Sequence, residues 1–173
     1  MAITHRHMRL AAKGLLACLP EFPRPWNVDV LCQELARIGG RPLTLHSVDL
    51  PEFPFGMWID DGRGDRILYR SSATGYHRDH IVLHEICHLL VARERHPAVR
   101  RVVPPPDGDR PAVALRAADR PAAPAPLLAH SPAEEELAET FASLALKRAG
   151  RLRPRDVSPV EQRAAELLGA TRA

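Results

Sequence analysis

The chain has 173 residues, of which 45% are hydrophobic and 26% are charged. This composition is that of an ordinary globular protein, and it excludes collagen-like, coiled-coil and wholly disordered chains. No apolar run approaches the roughly 18 residues that a membrane-spanning helix needs, so we expect no membrane partner. The net charge is only +3 and the arginines are scattered, so we expect no direct binding of nucleic acid.

The three cysteines, Cys18, Cys32 and Cys87, indicate a reducing compartment. They form no CxxC pair, and their number and spacing do not fit a disulfide framework. Few, widely spaced cysteines are typical of cytosolic proteins. Residues 15–18 look like a lipoprotein processing site, but a lysine and a glycine interrupt the apolar stretch before them. We therefore predict a cytoplasmic protein.

The first part of the chain predicts two helices. Residues 6–18 have near-helical apolar spacing, and prolines follow at positions 20, 23 and 25, so residues 1–26 form a helix and a proline-rich link. Asn27 is a good N-cap for a second helix over Val28–Ile38, which Gly39 and Gly40 would end.

The pattern then changes to that of strands. We predict strands over Arg41–Leu50, Phe55–Ile59 and Arg66–Tyr69, with a turn at residues 60–64 between the last two. These strands predict a small antiparallel sheet of about three strands.

The second half of the chain is helical around a proline-rich segment. Tyr76–Glu94 is apolar over most of its circumference, which predicts a buried central helix. Residues 97–132 read as a variable insertion, and Ser131 with Pro132 starts another helix that runs to about Ala149. Residues 151–173 are a helical tail with a helix over Ser158–Leu168. The fold class is α+β, with the main domain over residues 27–150.

The central helix contains the HExxH motif His84-Glu85-Ile86-Cys87-His88. Histidines four residues apart lie one turn apart on one helix face, so both imidazoles reach a single metal ion, usually zinc. Glu85 lies beside this site and is a candidate general base. With this composition, about 0.03 chance occurrences of the motif are expected. Cys87 is expected to be a core residue.

A catalytic zinc usually has three protein ligands, so one more is needed. The HExxHxxGxxH extension is absent, and the acidic helix that follows Ser131 is the better source. Glu135 and Glu139 lie one turn apart on this helix, and their spacing leaves both open as the third ligand. Glu134 and Glu136 are expected only to stabilise the helix N-terminus.

The sequence of residues 135–142, Glu-Glu-Leu-Ala-Glu-Thr-Phe-Ala, resembles the ExxA[NE]xFA signature that follows HExxH in the ImmA/IrrE family of zinc metallopeptidases. The resemblance covers about residues 25–150 and implies a zincin-like domain. It implies that His84, His88 and Glu135 bind Zn²⁺ and that Glu85 is the catalytic base. Glu139 falls where the family often has Asn, Asp or Glu.

The resemblance implies a zinc metalloendopeptidase that hydrolyses a peptide bond in a cytosolic protein, such as a helix-turn-helix transcriptional repressor. Residues 55–59, if they lie at the sheet edge near the metal, would pair with an extended peptide. The alternative is a non-proteolytic regulatory or toxin-like component of a two-gene system, which uses the metal fold to bind its partner. A purely structural metal site would not need Glu85.

His77 and His80 precede the motif on the same helix. We expect them to be exposed residues of its first turn, and the alternative is that they support the metal ligands or the transition state.

Overall fold

The computed structural model of the chain describes residues 5–50, 55–93 and 130–150. The elements in chain order are α1 (His5–Ala17), α2 (Val28–Gly39), β1 (Leu43–Val48), β2 (Gly56–Asp60), β3 (Asp65–Arg70), α3 (Gly75–Arg93) and α4 (Pro132–Arg148). The predicted α+β class is confirmed. Residues 97–129 and the helix expected over Ser158–Leu168 lie outside the described ranges. Within those ranges, no helix has the length and apolar character that a membrane crossing requires.

The ends of α2 and α4 follow the predicted capping. The Asn27 side chain accepts hydrogen bonds from the backbone N–H groups of Asp29 and Val30 at the start of α2. Gly40 ends α2 with φ of 61°, a left-handed conformation that favours glycine. Ser131 caps α4 by accepting from the Glu134 backbone N–H, with a proline in the first turn. These local interactions therefore set where the helices begin and end.

The sheet is mixed, and the prediction of an antiparallel sheet was wrong. The strand order is β1-β3-β2, with β1 parallel to β3 and β2 antiparallel to β3. Alternating side chains specify the two faces of a strand but do not specify which strand pairs with it. Here β2 lies within the connection from β1 to β3, and β3 inserts between the other two strands.

The turn between β2 and β3 is held by its own aspartates. Asp60 Oδ1 accepts from the Gly62 backbone N–H at 2.8 Å, and Asp61 Oδ1 accepts from Arg63 and Gly64 at 2.9 and 2.8 Å. Gly62 has φ of 79°. The predicted turn is therefore confirmed, and it fixes the register of this hairpin.

The hydrophobic core lies between α1, α3, α4 and the inner face of the sheet. Helix α3 packs mainly against α4, and α1 packs against both. Fully buried side chains include Met8 and Leu15 of α1, Leu83 and Ile86 of α3, Leu137 and Phe141 of α4, and Ile67 of β3. Helix α1 thus contributes to the same core as the other described elements, and this core brings α3 and α4 side by side.

A buried aspartate ties the sheet to the end of α3. Asp65, at the start of β3, is 1% exposed and accepts a hydrogen bond from Trp58 Nε1 at 3.0 Å. Its carboxylate also pairs with Arg93 of α3 and with Arg41. A buried carboxylate requires such partners, and this network holds β2 against α3.

Candidate metal centre

Helix α3 directs two imidazoles to one point. His84 and His88 lie one turn apart, and their Nε2 atoms are 3.0 Å from each other. His88 is buried and His84 is partly buried. The apolar faces of α3 pack into the core, so the helix holds both rings in place.

Helix α4 brings Glu135 to the same point. Its Oε2 lies 3.3 Å from His84 Nε2, and its Oε1 lies 3.6 Å from His88 Nε2. The Glu135 side chain is 47% exposed, so the site is open to solvent on this side. The structure thus brings together the three residues that the sequence resemblance implied.

The spacing and chemistry of these donors fit a divalent metal ion. A tetrahedral ion with bonds of about 2.1 Å separates its ligand atoms by about 3.4 Å. The two Nε2 atoms are 3.0 Å apart, and each lies at a similar distance from one Glu135 oxygen, 3.3 Å from Oε2 for His84 and 3.6 Å from Oε1 for His88. Two imidazole nitrogens and one carboxylate oxygen form a donor set that catalytic zinc sites use.

The other nitrogen of each histidine has a carboxylate partner from α4. His84 Nδ1 lies 3.2 Å from Glu139 Oε1, and His88 Nδ1 lies 3.1 Å from Glu134 Oε1. A carboxylate that accepts from Nδ1–H leaves the Nε2 lone pair free for a metal and fixes the ring orientation. Both rings are therefore oriented so that Nε2 faces Glu135.

The role of Glu134 differs from the sequence expectation. We expected it only to stabilise the helix N-terminus, but its Oε1 also accepts from His130 Nδ1 at 2.8 Å. The His130 ring stacks on His88, with centroids 3.6 Å apart and planes 17° apart. Sequence reasoning missed His130, because it lies before the N-cap Ser131, where the helical i, i+4 rule does not apply.

Burial and a neighbouring histidine favour a neutral His84 imidazole, and hydrogen bonds favour an ionised Glu134 carboxylate. Burial, and then the neighbouring His88, lower the pKa of His84. Burial alone would raise the pKa of Glu134, but hydrogen bonds from His130 and His88 outweigh it and lower the pKa to about 2. Burial would lower the pKa of His130, and the hydrogen bond to Glu134 outweighs it so that the pKa rises.

Glu85 lies beside the three donors and does not belong to them. It is 7% exposed, and this burial raises its pKa to about 7, although a hydrogen bond from the Trp58 backbone opposes the rise. A Cβ atom on Gly56 would lie 2.9 Å from Glu85 Oε1 and 2.5 Å from Ile81 Cγ2. The glycine therefore lets β2 approach α3 closely enough to cover the Glu85 carboxylate.

Strand β2 presents one edge next to Glu85. Two backbone hydrogen bonds join β2 to β3: Arg70 N–H donates to Phe55 C=O, and Asp61 N–H donates to Gly64 C=O. They show that the backbone N–H and C=O groups of the odd-numbered residues of β2 face β3. The backbone groups of Gly56, Trp58 and Asp60 therefore point away from β3. Among the described residues, no strand pairs with this outer edge.

The remaining candidates have distinct positions. His80 is partly buried and not exposed as expected, and its Nε2 lies 3.0 Å from Glu139 Oε2. His77 is exposed and contacts the Phe55 ring. Cys87 is buried in the core as predicted, and none of the three cysteines is in a disulfide.

Comparison of the chain with protein-family models, with curated proteins and with solved structures gave no match. The interpretation of the site therefore depends on its own geometry and on the sequence motif.

Proposed function

We propose that this chain is a zinc-dependent metallopeptidase that hydrolyses a peptide bond in a cytoplasmic protein. The observation that carries the proposal is the convergence of His84 Nε2, His88 Nε2 and a Glu135 carboxylate, with the Glu85 carboxylate beside them. A structural zinc site is typically closed by four protein ligands. Such a site has no need of Glu85, which is buried beside the donors and is not a ligand.

Zinc would be held by His84, His88 and Glu135. When bound, it supplies Lewis acidity, which makes water a competent nucleophile near neutral pH. Glu134 and Glu139 keep the two histidine rings oriented through Nδ1, so the Nε2 atoms stay directed at the ion.

Glu85 is the general base of the proposed reaction. Its carboxylate takes the proton of the attacking water and then gives it to the leaving nitrogen. Burial against β2 makes the protonated form accessible near neutral pH, which this two-way transfer requires. The outward-facing backbone of Gly56 and the outward-facing carbonyl of Trp58 would hold an extended substrate segment by strand addition, while the Trp58 N–H donates to Glu85.

The proposed substrate class is a helix-turn-helix transcriptional repressor. This part of the proposal rests on the resemblance of residues 84–88 and 135–142 to the ImmA/IrrE signature. The three cysteines form no disulfide, which is compatible with the proposed cytoplasmic location.

The test is co-expression of the full chain with a candidate repressor, comparing wild type with Glu85→Gln. Glu85 is not a ligand, so Glu85→Gln should retain zinc while it lowers cleavage by about 10²–10⁴-fold. Glu136→Gln, at an exposed position of the same acidic segment, is the matched control and should cleave normally. The readouts are a gel of the repressor, the zinc content and the cellular phenotype.

A non-proteolytic partner-binding protein gives the opposite result. Its cellular effect would persist in Glu85→Gln, and no repressor fragment would form with the wild type. This outcome would overturn the metallopeptidase proposal.

A further inference from the structure

The donor triad of the metal centre is repeated one helical turn away. A second group, His80, His84 and Glu139, also has its donor atoms within 4.8 Å of one another. Glu139 Oε2 lies 3.0 Å from His80 Nε2, and Glu139 Oε1 lies 3.2 Å from His84 Nδ1. This group therefore has the same composition as the first, with two histidines and one glutamate.

The repeat follows from the spacing on the two helices. Histidines occupy positions 80, 84 and 88 on one face of α3, and glutamates occupy positions 135 and 139 on α4. The contacts show that the helices run in opposite directions, since His80 meets Glu139 while His88 meets Glu135. One turn toward the start of α3 leads from His84 to His80, and one turn toward the end of α4 leads from Glu135 to Glu139. Each step is about 6 Å, so the same combination of side chains recurs at that distance.

We propose that His80 and Glu139 form a second, weaker site for a divalent metal ion such as Zn²⁺. The site shares His84 with the first one. An imidazole that binds an ion through Nε2 carries its hydrogen on Nδ1, so His84 cannot serve both sites at once. When the first site is filled, the second ion is bound by His80 Nε2 and Glu139 Oε2, and water completes its coordination.

The exposure of the two residues fits this arrangement. The side chains of His80 and Glu139 are 20% and 59% exposed, so an ion and its waters have access. With only two protein ligands and an open surface, the second ion binds more weakly than the first. A bound ion also draws Glu139 away from His84 Nδ1, so excess metal would loosen the support of the first site.

A third group, His88, His130 and Glu134, does not form such a site. Its two rings are stacked nearly parallel at 3.6 Å, so their in-plane lone pairs run side by side and do not converge on one ion. Among the donor groups of the described residues, the geometry therefore favours the His80 side for a second ion.

The test is a zinc titration of the chelator-stripped full chain, followed by a competing chromophoric chelator and by metal analysis after dialysis. Wild type should bind two ions, the second at least about 100-fold more weakly. His80→Ala and the milder His80→Gln should bind one ion with the first affinity unchanged. His77→Ala, an exposed histidine of the same helix outside every donor group of the described residues, should still bind two ions.

A further variant tests the shared ligand. His88→Ala removes the first site and frees His84 for the second, so it should still bind one ion, and His80→Ala in that background should abolish binding. The proposal is overturned if wild type binds one ion only, or if His80→Ala and His80→Gln retain two. It rests on the metal centre of the proposed function. If the titration shows that wild type binds no zinc ion tightly, the proposed function itself is refuted.

Discussion

At the scale of single residues, the position of the proposed base depends on the absence of a side chain at Gly56. Strand β2 covers Glu85 because nothing projects from Gly56 toward Ile81 and the Glu85 carboxylate. The burial that raises the pKa of Glu85 to about 7 therefore depends on a residue almost thirty positions earlier in the sequence.

We expect Gly56→Ala to lower the free energy of unfolding by roughly 1–3 kcal/mol, because the new methyl group overlaps Ile81 Cγ2 and displaces β2 from α3. Denaturant unfolding measures this change. Gly39→Ala is the control, since a Cβ there meets no atom within 4 Å and should leave stability unchanged or slightly higher. Equal stability of Gly56→Ala and wild type would contradict the close packing of β2 on α3.

The third metal ligand is also a residue-scale question. Glu135→Gln should weaken zinc binding far more than Glu136→Gln, because Glu136 is rotated by about 100° around α4 and is exposed. Equilibrium dialysis with zinc analysis compares the two variants. If Glu139→Gln alone releases the tightly bound ion while Glu135→Gln retains it, the assignment of Glu135 is wrong.

At the scale of elements, an ion pair between Asp29 and Arg78 joins α2 to α3. Arg78 donates to both carboxylate oxygens of Asp29 at 2.9 and 2.6 Å, and its guanidinium lies over the Tyr69 ring of β3. The hydrogen bond from Arg78 lowers the pKa of Asp29 below its ordinary value of 3.8, although burial partly opposes the shift. This pair thus connects three elements outside the hydrophobic core.

Because the folded state lowers the pKa of Asp29, the ion pair stabilises the protein above about pH 4 and loses this effect as the pH falls through the folded pKa. Asp29 is 46% exposed, so solvent screens the pair, and Asp29→Asn should cost about 0.5–1 kcal/mol at pH 7. The difference from wild type should shrink below about pH 3.

Denaturant unfolding at pH 7 and at acid pH measures this difference. Glu34→Gln, which breaks the more exposed Glu34–Arg37 pair within α2, should change stability less. A difference between Asp29→Asn and wild type that stays constant with pH would show that Asp29 does not act through its charge.

At the scale of the whole molecule, α3 and α4 connect the core to the metal centre. Their buried faces supply Leu83, Ile86, Leu137 and Phe141 to the core, while their facing polar positions supply the donors. An ion bound between them would cross-link two helices that are separated in sequence by the whole proline-rich segment.

We therefore expect zinc to stabilise the fold. At a free zinc concentration about 100 times the dissociation constant of the tight site, the free energy of unfolding rises by about 2.7 kcal/mol. This raises the Tm of the chelator-treated protein by roughly 5–10 °C. His84→Ala should show at most a small part of this rise, since it removes a ligand of the tight site and leaves His80 and Glu139 to hold an ion only weakly. Differential scanning calorimetry with and without zinc measures the shift. A rise of the same size in His84→Ala would place the stabilising ion elsewhere.

Features that depend on neighbours in the sequence were predictable from it. Asn27 and Ser131 cap helices through backbone groups two or three residues away, and the turn at residues 60–64 closes on its own aspartates. The alignment of His84 with His88 also needs only helical periodicity. In each case the partners lie within a few residues, so residue type and spacing were sufficient.

Features that depend on distant partners required the folded chain. Strand alternation did not specify that β3 lies between β1 and β2, because backbone pairing is available to either edge of a strand. Spacing on α4 alone left Glu135 and Glu139 equivalent. The packing of α4 on α3 then separates them, since Glu135 meets Nε2 of both motif histidines while Glu139 meets Nδ1 of His84. Which side of an imidazole a carboxylate reaches is set by helix packing, and that packing is decided by the core and not by the motif.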